Sequence, residues 1–440
     1  FWKPGYEPAD AILKWPGNGN PAQGEASQLA PYRDYNNDGF YNCLDGDYPL
    51  IRGDECIFFM YNDDFEHTES NGLPLKVEVH GMVYGFDAAA DTALYHTVFV
   101  HYDIINRSDK TYHNCMIGSF TDTDLGFPDD DFVGSDVGRA SYYVYNGREI
   151  DGNGQYYAYG ENPPAQSVTI LAGPFMDEDG TDNPSGGCDE SVNGLNFGNS
   201  IIDDERHGLS FFSTVDVYYG YPIYLPPPLL ASDLYNYMTG HWNDSSSFMY
   251  GGGGHPAYDA VGPECRFFYP GDSDHLNWGT WCQLPEGGYN QGNKFWTEEE
   301  ANHAPSDRRG LGSMGPFTFG PGQVQEIDLA FVTGQGTQGV ASSLRQMLRN
   351  IDSLRAATAL GKLIVPNNQL GLEPVKPTSS LRIYPNPAST VIIIGGLPAT
   401  AGAEYVIYNL QGLQMSAGRL LPSSRPEINF SALKSGMYMI

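Results

Sequence analysis

The chain has 440 residues, with 54 Asp and Glu against 23 Lys and Arg and a formal charge of -31; such a surface repels a polyanion, so nucleic-acid binding is disfavoured. Apolar residues make up 40% and aromatic residues 13%, enough to bury a sizeable core and too much for a disordered chain. The longest wholly apolar runs, such as Val391 to Ile394, fall far short of the roughly 20 residues a membrane-spanning helix needs, so no transmembrane segment is expected.

The first residue is Phe1, with no initiator Met and no basic or apolar leader. Either a signal peptide has been removed or the numbering begins inside a longer protein. Residues 1–74 are rich in Gly, Pro, Asn and Asp and are expected to form an irregular segment draped over the rest. Within it lies Asp34-Tyr35-Asn36-Asn37-Asp38-Gly39-Phe40, followed by Asn42 and Asp45. Counting Asp34 as position 1, oxygen donors fall at 1, 3, 5, 9 and 12, Gly39 at 6 allows a tight turn, and the Phe40 carbonyl stands at 7. A hard cation needs several oxygens converging from one short loop, so Asp34, Asn36, Asp38, Phe40 and Asp45 are candidate calcium ligands. The competing reading is a plain Asx turn with acidic neighbours.

From Leu75 the pattern changes to strands. Lys76 to His80 alternates, and Val98 to Ile105 is β-branched and aromatic. Further strands are predicted at Tyr142–Tyr145, Val168–Leu171, Leu209–Val217, Phe317–Phe319 and Glu326–Val332. Short strands without interleaved helices predict a mainly β body over 75–360, an antiparallel β-sandwich or jelly roll with long acidic loops. One helix closes it, with Val340, Leu344, Leu348, Ile351 and Leu354 at helical spacing and Gly361 as its stop. A linker over 361–379 and a small β-sandwich over 380–440 follow.

A second acidic cluster within the body contains Asp122, Asp124, Asp129, Asp130, Asp131 and Asp136. Adjacent carboxylates repel one another unless a divalent cation orders them, so Asp122, Asp124, Asp130 and Asp136 are further metal candidates, against a solvated acidic turn. Asp177, Asp179 and Asp182 read as a flexible acidic loop. Six cysteines without a CxxC spacing exclude a zinc ribbon and favour disulfides in an exported chain. Cys43 with Cys56, or Cys265 with Cys282, would each close a loop of about 15 residues, and spacing alone does not fix the pairing.

The final region carries Ile383-Tyr384-Pro385-Asn386-Pro387-Ala388-Ser389, then Val406-Ile407-Tyr408-Asn409-Leu410-Gln411-Gly412, then Leu433-Lys434-Ser435-Gly436-Met437-Tyr438. In this order and spacing it resembles the type A sorting domain of type IX secretion substrates. The resemblance implies that the secretion machinery of a Bacteroidota-type bacterium reads this domain as a folded tag. The chain would then reach the cell surface or the extracellular space. The body resembles a group of large surface proteins exported by the same route, through Asp45-Gly46-Asp47-Tyr48-Pro49, Phe132 to Val137, Asp203 to Leu209 and Tyr269 to Asp274. The Asp34 loop is similar to those of dockerins and thrombospondin-type repeats.

Catalytic templates fail: HExxH, P-loop and GxSxG patterns are missing, and Gly310 to Gly315 matches GxGxxG but leads into Pro316 instead of a helix. The expectation is therefore a non-enzymatic, calcium-stabilised surface or adhesion protein that assembles with copies of itself or a neighbour. The alternative is a carbohydrate-active enzyme or lectin that uses Asp203, Asp204, Glu205 and His207, with the loop Trp242 to His255 as a glycan-stacking rim.

Overall fold

The computed structural model describes residues 7–23, 25–214, 228–257, 260, 262–283 and 295–363, and in the C-terminal region 382–384, 390–395, 403–409, 414–421, 426–429, 431 and 438–439. The chain divides into two compact units, Phe1–Asn368 and Gln369–Ile440. Strands of the larger unit are β1 (Tyr32–Arg33), β2 (Tyr48–Pro49), β3 (Glu55–Asn62), β4 (Val77–Gly85), β5 (Thr97–Asn106), β6 (Tyr112–Asp122) and β7 (Asp131–Asp136). They continue as β8 (Ser141–Asn146), β9 (Ile150–Asp151), β10 (Gly160–Glu161), β11 (Ala165–Ala172), β12 (Phe211–Thr214), β13 (Arg309–Phe319) and β14 (Val324–Gly334). The helices are α1 (Asp10–Leu13), α2 (Thr92–Tyr95), α3 (Ala231–Met238) and α4 (Val340–Ala359).

Seven strands make one antiparallel sheet in the order β3-β4-β5-β14-β11-β8-β7, and three make a second in the order β12-β13-β6. The central strand β14 shows how the layers arise from period-two alternation. Its Ile327 and Leu329 join Tyr142, Phe212, Leu311 and Met314 in a core between the two sheets. Its Ala330 and Val332 face the other way, onto Met347, Ile351 and Leu354 of α4. The large sheet is thus covered on both faces, by the small sheet and by the helix. Tyr142 stacks on Phe212 at 4.9 Å between ring centroids, and its hydroxyl donates to the Ser119 carbonyl oxygen at 2.9 Å. Gly312 of β13 lies under the same ring, and a Cβ there would stand 2.5 Å from it. The GxGxxG run is therefore part of a strand that must lie close to an aromatic.

Of the stripe predicted for the last helix, Ile351 and Leu354 are buried together with Met347, and Val340, Leu344 and Leu348 pack half-buried against the same core. The helix ends on Gly361 at φ 65°. Gly361 N–H donates to the Thr358 carbonyl and Lys362 N–H to that of Ala357, which satisfies two otherwise orphaned carbonyls.

Three sequence expectations change. Residues 1–74 are not irregular throughout, because β3 forms an edge of the seven-stranded sheet and pairs with β4 over its whole length. The unanticipated strand β6 pairs with β13 from Arg309↔Asp122 to Phe319↔Tyr112. The disulfide links Cys188 to Cys282 across 94 residues of sequence, with Cα atoms 5.7 Å apart. Cys265 is a free thiol buried in the aromatic core with Phe248 and Phe267, and Cys43 and Cys56 are free thiols too. In the chain-entropy model a closed loop of that length contributes about 4.7 kcal/mol.

In the smaller unit β15 (Arg382–Tyr384), β16 (Val391–Gly395), β17 (Ala403–Asn409), β18 (Gln414–Leu420), β19 (Glu427–Asn429) and β20 (Tyr438–Met439) form two three-stranded sheets, β15-β16-β19 and β18-β17-β20. Ile392, Ile394, Ile407, Leu420 and Ile428 fill its core. The ordered motifs fall on this frame: Tyr384 ends β15, Val406 to Asn409 lie in β17, and Tyr438 of β20 pairs with Asn409. The intervening Pro385 to Ser389, Leu410 to Gly412 and Leu433 to Met437 lie outside the described residues.

Candidate metal centre

The turn that holds Asp34 is bracketed by β1 and β2, which pair Arg33↔Tyr48. Asp47, missed in the sequence reading, closes it from inside. Its buried carboxylate accepts the N–H groups of Tyr35 and Asn42, both at 2.8 Å. Asp34 accepts from the N–H of Asp38 at 3.3 Å and of Gly39 at 2.8 Å. Asp38 accepts from Phe40 N–H and from the Asn36 side-chain amide, each at 2.8 Å. The Asn42 amide donates to Asp45 at 2.6 Å. The loop is a nest of Asx turns on the surface, with the Phe40 side chain 65% exposed. Asp34, Asp38 and Asp45 do not gather as a trio with oxygens within 4.8 Å of one another.

The second acidic segment splits. Asp122 ends β6 and Asp124 follows in the turn, while the β6–β13 register brings in Asp307, just ahead of β13. Oxygens of Asp122, Asp124 and Asp307 lie within 4.8 Å of one another. Arg309 spans the trio's edge, 2.8 Å from Asp122 and 3.5 Å from Asp307. Burial raises the Asp307 carboxyl above its usual range; Arg309 opposes this, and Asp122, Asp124 and Asp129 add to it. Its Oδ1 is shielded from solvent and accepts no hydrogen bond.

Asp130 and Asp131 turn inward and are fully buried. Asp130 accepts from Gly152 N–H at 3.0 Å, and Asp131 Oδ2 from Leu125 N–H at 3.1 Å. The Oδ1 atoms of both have no hydrogen-bond partner. Burial pushes Asp131 up to about 9; the Leu125 N–H resists, while the charges of Asp130, Asp151 and Asp124 reinforce the rise. Asp151 is equally enclosed and accepts from the N–H groups of Phe127 and Tyr159. Asp136 belongs elsewhere. It ends β7, roughly 17 Å of strand away from Asp131, where the Arg139 guanidinium pairs with it at 2.8 Å.

The residues considered for glycan chemistry do not converge. Asp203 accepts the N–H groups of Asp179 and Gly180, Asp204 binds the Asn199 amide, and Glu205 accepts from Asn183 N–H. His207 is half-buried with its Nε2 enclosed, and this desolvation drives its ring down to about 4 against the Pro316 backbone and Asp177. Trp242 and Phe248 form no rim; both are buried in the aromatic core, where Trp242 Nε1 donates to the Gly254 carbonyl at 3.0 Å.

A buried ionic chain crosses the sheet on the face opposite Ile327 and Leu329. His101 Nδ1 lies 2.8 Å from Asp328 and its Nε2 3.0 Å from Asp103. Arg52 approaches the same Nε2 at 3.2 Å, and Arg206 stands 3.5 Å from Asp328. Burial opposes a charged ring, but the hydrogen bonds to Asp103 and Asp328 outweigh it and hold His101 up at about 9. This chain lies beside a cavity of about 320 Å³ that the N-terminal segment roofs with Leu29, Pro31 and Leu50.

Residues 382–440 match the family model of the secretion system C-terminal sorting domain. The chain therefore carries the tail of a type IX secretion substrate, and its destination is the cell surface or the extracellular space beyond the outer membrane. No curated protein and no solved structure matches it. Among the described residues, no helix is long and apolar enough to cross a membrane.

Proposed function

We propose that the body is a non-enzymatic structural or adhesion module of the cell surface, stabilised by calcium and delivered by its sorting tail. The observation that carries this reading is the gathering of Asp122, Asp124 and Asp307 at the junction of two strands, on a chain bearing a type IX tail. Carboxylates alone suit a hard cation, and millimolar calcium outside the cell fills sites of the weak extracellular class. The same cation screens a charge of -31, which otherwise keeps copies apart. The secretion machinery engages the smaller unit, and the larger unit meets the surface partner.

The test is a strain that lacks the chain, assayed for attachment and cell–cell aggregation with and without millimolar calcium. A calcium-dependent defect, restored by the intact chain and not by one lacking residues 369–440, is the expected result. Normal attachment and aggregation in the deletion strain refutes the surface role. Release into the medium of the chain without its tail refutes the tail's part in it.

A further inference from the structure

We propose that the cavity between the N-terminal segment and the large sheet is a binding site for one or two sugar units at the end of an uncharged glycan, held by Arg52 and Asp103 and seated on Phe58. This deepens the adhesion reading above and rests on it for the glycan as the source of the sugar.

The floor of the site is one face of the sheet. Phe58 of β3, His80 and Met82 of β4, and His101 and Asp103 of β5 stand side by side, in the registers Phe58↔Met82, Met82↔His101 and His80↔Asp103. Leu29, Pro31 and Leu50 lie over them, and about 320 Å³ is left between. That is room for about ten waters at their liquid volume, whereas close-packed interiors keep few voids larger than one. It falls within the range of pockets that take small ligands. The aromatic of the floor is braced, because Trp15 and His80 each stand 5.9 Å from Phe58 between ring centroids. The seat is therefore formed before a ligand arrives.

The charges of the lining select the ligand. Arg52 and His101 face the cavity and are both more than nine-tenths buried, and the groups around them balance. His101 lies against Asp103 and Asp328, Arg206 against Asp328, and Glu326 acts on Arg206. His80 is tied at 2.7 Å to Glu78, which Arg107 neutralises. An anion would meet Asp103 and the field of a chain at -31, and a cation would meet Arg52 and a His101 ring that its carboxylates keep charged. An apolar ligand would strip water from Asp103 and Arg52 and return no hydrogen bond. An uncharged ligand rich in hydroxyls satisfies all three conditions, since a hydroxyl donates to an acceptor-only carboxylate and accepts from a donor-only guanidinium. The C–H face of a sugar ring then packs on Phe58 and Met82. Asp203 to Glu205 and the loop Trp242 to His255 take no part.

The experiment is calorimetric titration of the purified full chain with glucose, galactose, mannose, N-acetylglucosamine, maltose and cellobiose, with glucuronate and glucosamine as charged counterparts. Beads that display the best-bound sugar follow. At least one neutral sugar should bind, one per chain, with a dissociation constant on the order of 1 mM or below, as expected for about a dozen ligand atoms, and more tightly than glucuronate or glucosamine. Leu29→Trp, which fills the cavity, and Asp103→Asn, which removes the acceptor-only group, should each weaken binding about tenfold or more. Asp38→Asn, on the exposed loop, should leave it unchanged. If Asp103→Asn fails to fold in a thermal melt, Leu29→Trp decides alone. Failure of every neutral sugar to bind overturns the proposal, as does tighter binding of a charged counterpart or affinity unchanged in Leu29→Trp. Retention on the beads, released by free sugar, supports a glycan end, and binding of the free sugar without retention overturns that source. Sugar binding by a chain whose deletion leaves attachment normal would leave this inference standing and remove the surface role.

Discussion

Asp328 and Asp131 stand in the same seven-stranded sheet, one on central β14 and the other on edge strand β7, and both are buried. Burial by itself pushes each carboxyl toward its neutral form. At the centre the chain supplies the remedy: His101, Arg206 and Arg52 overcome the burial and hold Asp328 below its usual range. At the edge the charges that act most on Asp131 are those of other carboxylates, and it is driven up to about 9. Partners, more than depth, decide what a buried acid does. At the centre of the sheet the buried acid faces cations, whereas at the edge it faces other acids.

The largest effect that tests this contrast is Asp328→Ala, which strands His101 and Arg206 as buried cations. A loss of about 3–5 kcal/mol is expected from the denaturation midpoint. A loss below about 1 kcal/mol would mean that the central network is no more self-sufficient than the edge.

Next comes pH. The His101 ring is raised from 6.5 to about 9 in the folded chain, so its contribution is fully present below pH 6.5 and is lost as pH rises through 9. The contribution is on the order of 3 kcal/mol. His101→Gln should flatten that part of the stability profile, and an unchanged slope between pH 6.5 and 9 would show that the ring is not charged in the fold. His207, lowered to about 4 by burial, works with the opposite sign: its contribution is present above pH 6.5 and is lost as pH falls through 4. His207→Gln should remove that acid-side slope and leave the alkaline one.

The smallest effect belongs to the edge. At neutral pH, Asp131→Asn should match wild-type stability within about 1 kcal/mol by denaturation midpoint, because the amide oxygen still accepts from Leu125 N–H. A large deficit would place Asp131 with Asp328, as a carboxylate that neighbouring cations keep ionised.

The parts of the fold legible in sequence are those where one physical signal dominates. Thr97 to Asn106 and Val324 to Gly334 are β-branched and aromatic because they are central strands, and the stripe from Val340 to Leu354 has helical spacing. Strand β6 was hidden because Tyr-His-Asn-Cys-Met-Ile-Gly-Ser-Phe-Thr-Asp mixes polar and apolar residues without clean alternation. Strand β3 was hidden by the glycine and aspartate around it. Among the acidic residues, composition shows that Asp129, Asp130 and Asp131 are crowded but not which of them turn inward, since that follows from β7 entering the sheet. Asp307 lay beyond reach, because only the pairing of β6 with β13 brings it to Asp124. Spacing leaves the partner of Cys282 open, because a partner 94 residues away is brought near only by the fold, which gives it Cys188.

The Cys188–Cys282 crosslink decides what a proteolytic cut does to the chain. Between Cys188 and Cys282 lie β12 and α3, so this stretch is a closed covalent ring within the body. A single cut anywhere inside the ring leaves one molecule that runs intact on a non-reducing gel and parts into two pieces only when the bond is reduced. A cut in the β3–β4 hairpin severs the chain outright. The body is thus mechanically redundant around its aromatic core and singly threaded at the edge that carries β3.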